Sequence, residues 1–240
     1  MNDFIKIEGL KKWYKSKGVT YEALKNITLN LRKGEFVAVR GPSGSGKTTL
    51  LSILGTLLSP DAGNISIDGI DITKLSQERK ADFRAFYIGF IFQHFHLLPF
   101  LSVYENTLLP LSTIKKEKEY KKNLAEKALS TVGMLEKKNK LPSEISGGEQ
   151  QRTAIARAIV NEPPLILADE PTGNLDSVNS TVIMEHFQIL HEQGHTIVFV
   201  THDMKMSEYA DRVIHVEDGL VNEDVTFTKE DKIKEDKIYV

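Results

Sequence analysis

A chain of 240 residues has room for one large α/β domain or two small ones, and its 40% apolar content suits a globular core. A formal net charge of −2 excludes the basic field that would argue for nucleic acid or anionic lipid. The absence of cysteine excludes disulfide and thiolate chemistry and allows a reducing compartment.

Met1–Lys6 has no basic region leading into an apolar signal core, and every apolar run is broken before membrane-spanning length. The expectation is that another subunit supplies any membrane anchor. Phe4–Leu10 alternates as a half-buried strand, and a polar loop is expected at Lys15–Gly18. Val19–Tyr21 and Ile27–Leu31 read as further strand material, so a period-two, antiparallel sheet precedes the turn at Lys33–Gly34. By periodicity alone Tyr14 is an edge-strand or core aromatic, with purine stacking as the alternative.

The apolar run Glu35–Val39 feeds Gly41–Pro42–Ser43–Gly44–Ser45–Gly46–Lys47–Thr48, and a helix is expected over Thr49–Leu58. Strand, glycine loop and helix together make a phosphate cradle. The glycines let backbone N–H groups turn inward, and the helix N-terminus adds a field that favours anions. Lys47 reaches the β- and γ-phosphates, and the Thr48 hydroxyl suits Mg²⁺.

A turn at Ser59–Gly63, a short strand at Asn64–Gly69 and a polar helix over Ser76–Arg84 follow. Ile88–Phe92 is an apolar strand that stops at Gln93, either a surface side chain or a group that meets metal or water near a γ-phosphate. His94–Leu101 is apolar for a loop. It either packs internally or faces a partner. Val103–Leu109, the charged run Lys115–Lys122 and the helical spacing of Leu124, Ala125, Ala128, Leu129 and Val132 predict a largely helical insert. Ser146 is an N-cap with Glu149 at the capping-box position. Gly147 and Gly148 weaken that first turn, and N–H groups exposed to an anion give one reason for them.

Leu165–Ala168 reads as a buried parallel strand that delivers Asp169 and Glu170 to its carboxyl end. Asp169 suits Mg²⁺, directly or through water, and Glu170 suits polarisation of an attacking water. A helix over Val182–Leu190 and a buried strand over Thr196–Val200 place His202 at the same sheet edge. A short helix at Lys205–Ala210 and a strand at Arg212–Val216 come next, and Thr226–Tyr239 is mostly charged, a loose tail or a solvent-facing helix.

Together these motifs resemble the ATP-binding subunit of an ATP-binding-cassette (ABC) transporter over about Ile5–Glu223. Gly41–Thr48 matches the Walker A loop, Leu165–Glu170 Walker B, and Ser146–Gln150 the family signature. Gln93 falls at the glutamine loop, Leu175–Asp176 at the D-loop, His202 at the switch histidine and Tyr14 at the adenine-stacking aromatic. Ile145 stands where leucine is commonest, and Thr48 replaces a frequent serine with the same hydroxyl. Gly89–Gln93, Leu97–Pro99, Glu105–Asn106 and Ala168–Asp176 are similar to the lipoprotein-release, macrolide-export and antimicrobial-peptide-resistance branch.

The resemblance implies an α/β P-loop NTPase fold with a RecA-like core, an N-terminal antiparallel β-subdomain and a helical subdomain at about residues 96–160, all within one unit spanning residues 1–225. Residues 226–240 would form a charged tail. It implies ATP contacts from Tyr14, Gly41, Pro42, Ser43, Gly44, Ser45, Gly46, Lys47, Thr48 and Thr49, and from Ser146, Gly147, Gly148, Glu149 and Asp176. Lys47, Gln93, Glu170 and His202 would act in hydrolysis, and Thr48, Gln93 and Asp169 at Mg²⁺. It also implies a homodimer with ATP in its interface, bound to an integral membrane permease at the cytoplasmic face of the membrane, with no nucleic acid partner. Phe95–Leu101 falls where a permease coupling helix docks. The alternatives are an importer ATPase, a soluble DNA-repair or translation cassette, and a regulator or scaffold for cell division or signalling.

Overall fold

The computed structural model describes residues 3–16 and 18–227. Alternation in the N-terminal third produces an antiparallel sheet of β1 (Ile5–Ser16), β2 (Val19–Leu31), β4 (Ala62–Ile67) and β5 (Ile70–Asp71), in the order β2-β1-β4-β5. The polar loop expected from Lys15 is a correction: β1 runs through Lys15 and Ser16, because Tyr14 pairs with Tyr21 and Ser16 with Val19 across a hairpin. The two strand fragments expected after it are one strand, β2. Asn26 adopts a left-handed φ of 66°, and register shifts in β1 keep the long pair together.

The second sheet contains β3 (Phe36–Arg40), β6 (Ile88–Ile91), β7 (Leu165–Asp169), β8 (Thr196–Thr201), β9 (Arg212–Glu217) and β10 (Leu220–Thr226), in the order β10-β9-β3-β8-β7-β6. Strands β9 through β6 are parallel and β10 closes the edge antiparallel. Continuous apolar strands suit a sheet covered on both faces. Phe36, Ala38, Ile166, Ala168, Ile197 and Phe199 face one core. Val37, Val39, Leu165, Leu167, Val198 and Val200 face the other, which the antiparallel sheet shares.

Helix α1 (Lys47–Leu54) lies in this second core, touching β7, β8 and β2. It stops short of the expected Leu58 because Gly55 caps it and Thr56 turns left-handed at φ 54°. Helix α2 (Gln77–Tyr87) is capped by Ser76, and Phe83 packs into the same core. On the opposite face α3 (Val103–Leu108), α4 (Lys118–Thr131) and α5 (Gly147–Ile159) pack on one another, followed by α6 (Ser177–Glu192) and α7 (Met204–Ser207). The helices of the middle third share their apolar cluster with the sheet. Among the described residues no helix is long and apolar enough to cross a membrane.

Strand β10 has no counterpart in the sequence reading: Asn222, Glu223 and Asp224 interrupt its apolar residues, and pairing with β9 defines it. Phe227 packs against the core and its N–H donates to Asp211 O at 2.7 Å. The charged stretch 228–240 of the expected tail lies outside the described residues.

Phe187 of α6 is fully buried, with its ring centroid 6.2 Å from Phe36 and 6.4 Å from Phe199. Phe187→Ala should lower stability by about 3–5 kcal/mol, since it removes apolar burial and leaves a cavity. Denaturant unfolding measures the loss.

Candidate functional site

Strands β3, β6, β7 and β8 point their carboxyl ends to one edge, and the residues after them build a cleft of about 730 Å³. Pro42–Thr49 forms its floor, Gln93, Glu170 and His202 one side, and Tyr14, Tyr21 and Ala23 the other. Gly46 caps α1 with φ +103° and no side-chain hydrogen bond, which leaves the first helical N–H groups to the cleft. A Cβ on Gly46 would stand 2.4 Å from Ala23 O, so both its backbone angle and its neighbour demand glycine.

The Lys47 ammonium donates to Gly41 O at 2.8 Å and Pro42 O at 2.9 Å. Burial lowers its pKa, against the opposing pull of Glu170 and Asp169. The Thr48 hydroxyl donates to Asp169 Oδ1 at 3.0 Å. Burial raises the Asp169 pKa, only partly offset by that hydrogen bond. Two hard oxygen donors thus converge where the carboxylate is under-compensated, a donor set that fits a divalent cation such as Mg²⁺.

Glu170 follows β7 in a left-handed conformation, φ 45°, which a non-glycine residue adopts only under tertiary constraint. Its N–H donates to Val200 O at 3.1 Å, and both carboxylate oxygens lie 3.0 Å from His202 Nδ1. His202 is otherwise exposed. Gln93 is half-buried beside Gly173, and Asn174 Nδ2 donates to its carbonyl at 2.9 Å. Tyr14 lines the cleft, 42% exposed, its hydroxyl 3.4 Å from Thr49 Oγ1, and so is not a core aromatic.

Ser146–Glu149 and Asp176 do not line this cleft. They form a second cluster at the N-termini of α5 and α6. Ser146 and Glu149 complete the capping box, and the Glu149 carboxylate also pairs with Lys137 and Arg152. Lys137 foremost, and then the capping bonds to Ser146, hold its pKa below the usual range. The Asp176 side chain accepts from Asn179 N and Asn179 Nδ2, each at 2.8 Å. A Cβ on Gly148 would meet Asn179 Oδ1 at 2.3 Å, so that glycine has a steric reason besides exposure of its N–H. Ser146 and Gly147 are exposed.

The sequence reading left out several residues that shape the site. Tyr21 donates its hydroxyl to Gly44 O at 2.9 Å; its cross-strand pairing with Tyr14 would have revealed it had the hairpin register been known. Arg157 of α5 donates to Phe95 O at 2.6 Å and His96 O at 2.5 Å, two left-handed residues just after Gln93. Burial lowers its pKa. Of the apolar stretch His94–Leu101, Phe95 and Leu97 are half-buried, and Leu98, Pro99 and Phe100 are exposed. The internal-packing alternative for those three is therefore corrected; chain-local turns hold them outside the core.

A phosphate loop joined to an acid pair, a histidine and a second glycine cluster defines an ATP-binding-cassette ATPase. The ABC transporter family model matches residues 24–173, and the chain belongs to that family. It is 48% identical over 212 residues to the macrolide export ATP-binding/permease protein MacB of Campylobacter jejuni, covering 88% of this chain but 33% of the relative. The chain thus spans about a third of the length of the macrolide-export relatives it matches. An uncharacterized ABC transporter ATP-binding protein of Bacillus subtilis, YknY, is 43% identical across 90% of this chain and 94% of its own. Among solved structures, a dimeric post-hydrolysis state of the cassette MJ0796 bound to ADP and Pi superposes with a TM-score of 0.86. It shares 40% identity and is covered over 99% of its length.

Arg157→Met should release the Phe95 and His96 carbonyls without unfolding the chain. Amide exchange of residues 94–98, read by mass spectrometry, should quicken about tenfold while the sheet stays protected.

Proposed function

We propose that this chain is the ATP-hydrolysing half-site of a homodimer that drives an integral membrane permease of the macrolide-export or lipoprotein-release type. One observation carries the reading: Pro42–Thr49, Gln93, Glu170 and His202 line a single cleft with Tyr14. ATP lies with its base on Tyr14 and its phosphates over the N-terminus of α1. Lys47 exchanges its carbonyl partners for the β- and γ-phosphates. Thr48 and Asp169, with Gln93 nearby, hold Mg²⁺, which when bound offsets negative charge on the phosphate oxygens.

Glu170 orients or deprotonates water for in-line attack on the γ-phosphate. With Nδ1 donating to Glu170, the His202 ring turns its other nitrogen away from the carboxylate, and in the protonated ring Nε2 donates to the γ-phosphate. The remaining donors, Ser146, Gly147 and Gly148, come from the second copy, because in their own chain they lie outside the cleft. Asp176 stands beside them through Asn179. The dimeric state of MJ0796 supports this arrangement.

The permease contact centres on exposed Leu98 and Phe100. Beside them is a groove of about 460 Å³ lined by Leu101, Tyr104, Leu108, Leu109 and Leu111. An apolar groove with a few deep anchors suits one face of an amphipathic helix. The macrolide-export relatives are ATP-binding/permease proteins, which favours a permease partner for this chain; the cytoplasmic face of the membrane, where ATP is available, is the proposed place of that contact. They give no support to the importer, DNA-repair, translation or scaffold alternatives.

Glu170→Gln should retain ATP binding and lose turnover by about 10²–10⁴-fold, the usual loss on removing a general base. Phosphate release and labelled-nucleotide titration test both halves; turnover within about twofold of wild type contradicts the role.

Leu98→Gln changes an exposed side chain and should leave folding and ATP binding intact while reducing permease capture and permease-stimulated turnover about tenfold. Pull-down beside circular dichroism decides it: a folded variant that binds the permease normally removes this site from the interface.

A further inference from the structure

Gln151 is fully buried in the first half of α5, and the cleft does not include it. Its Nε2 donates to Pro171 O at 2.7 Å, while its Oε1 has no partner. Methionine or leucine would fill the same space without the unmatched Oε1, but would leave the buried Pro171 carbonyl without its donor, so what the amide adds to packing is this one bond. The single bond it makes falls on the residue directly after Glu170. Glu170 itself sits in a left-handed conformation, tied by its N–H to Val200 O at 3.1 Å and by its carbonyl to Gly173 N at 3.0 Å. Such a conformation persists only where its surroundings over-determine it. The buried amide supplies a further constraint, from a different layer of the fold.

We propose that Gln151 is a positioning residue for Glu170: from α5 it pins the Pro171 carbonyl and so fixes the turn that aims the Glu170 carboxylate at His202 and the attacking water. The proposal rests on the reading of Glu170 as the base. Roughly one and a half helical turns separate Gln151 from Ser146 at the start of the same helix. A rigid helix thus joins the edge that faces the second copy's nucleotide to the turn that carries this chain's own carboxylate. Arg157, further along α5, holds the loop after Gln93 in the same manner.

The test is a pair of variants, Gln151→Met and Gln151→Leu, each alone and combined with Glu170→Gln, in the full chain. ATP hydrolysis, nucleotide affinity and thermal midpoint are measured for each. The expected result is a kcat about 10–100-fold lower with KM and nucleotide affinity within about twofold, since a displaced catalytic group costs rate more than binding. In the Glu170→Gln background the same substitution should cost less than about twofold further, because the group it positions is gone. Wild-type kcat in both single variants overturns the proposal. So does a loss that adds fully to that of Glu170→Gln, and so does unfolding of both variants, which would assign Gln151 to stability alone. If Glu170→Gln itself turns over like wild type, the reading of Glu170 as base falls, and the proposal with it. Slow Glu170→Gln beside fast Gln151 variants removes the positioning role only.

Discussion

The phosphate loop is wedged between two sheets, and its backbone approaches both more closely than any side chain allows. A Cβ on Gly41 would stand 1.9 Å from Val216 O at the end of β9, and one on Gly46 would stand 2.4 Å from Ala23 O in β2. Gly219 N donates to Ser45 O at 3.1 Å, and Gly219 O accepts from Lys25 N at 2.7 Å. The loop, the antiparallel sheet and the β9–β10 hairpin are therefore one packed joint. Its rigidity lets α1 present bare N–H groups at a fixed place. Tyr14 and Tyr21 reach the same cleft only because the antiparallel sheet docks on that joint.

The opposite wall depends on backbone held in unfavourable conformations. Glu170, Phe95 and His96 are all left-handed without being glycine. Each has a neighbour that spends hydrogen bonds on the carbonyls nearby: Gln151 on Pro171, Arg157 on Phe95 and His96. Both donors lie on α5, whose own N-terminus carries the second glycine cluster. A desolvated guanidinium bound to two carbonyls rather than to a carboxylate keeps its charge at some cost, which the two short bonds offset.

Charge in the cleft is arranged for an anion and a cation together. Lys47 and Asp169 are both shifted by burial toward their neutral forms, and each is drawn back by the other. Such opposed shifts are common where a site is tuned to bind rather than to stabilise the fold. Asp176 and Glu144 behave differently: their pKa values are lowered first by backbone hydrogen bonds at helix starts, the ordinary chemistry of capping, while that of Glu149 is lowered first by Lys137 and then by its capping bond to Ser146 N.

The sequence by itself determined the phosphate loop, because glycine, lysine and threonine at that spacing between a strand and a helix admit few other uses. It determined the buried strands, since runs such as Leu165–Ala168 and Thr196–Val200 are apolar on both faces. It also placed Asp169, Glu170 and His202 at strand ends, and the capping box at Ser146. What it left undecided depends on partners distant in the chain. Strand β10 and the continuous β1–β2 hairpin exist through pairing that no local period reveals. Nearer in the chain, buried Asn106 ties down the turns that carry exposed Leu98 and Phe100, its Oδ1 accepting from Leu98 N at 2.8 Å and its Nδ2 donating to Leu101 O at 2.9 Å, contacts that no apolar period announces. The roles of Gln151 and Arg157 were invisible for the same reason: a glutamine or arginine on a helix reads as surface until the tertiary structure turns it inward onto a carbonyl 20 or 62 residues away.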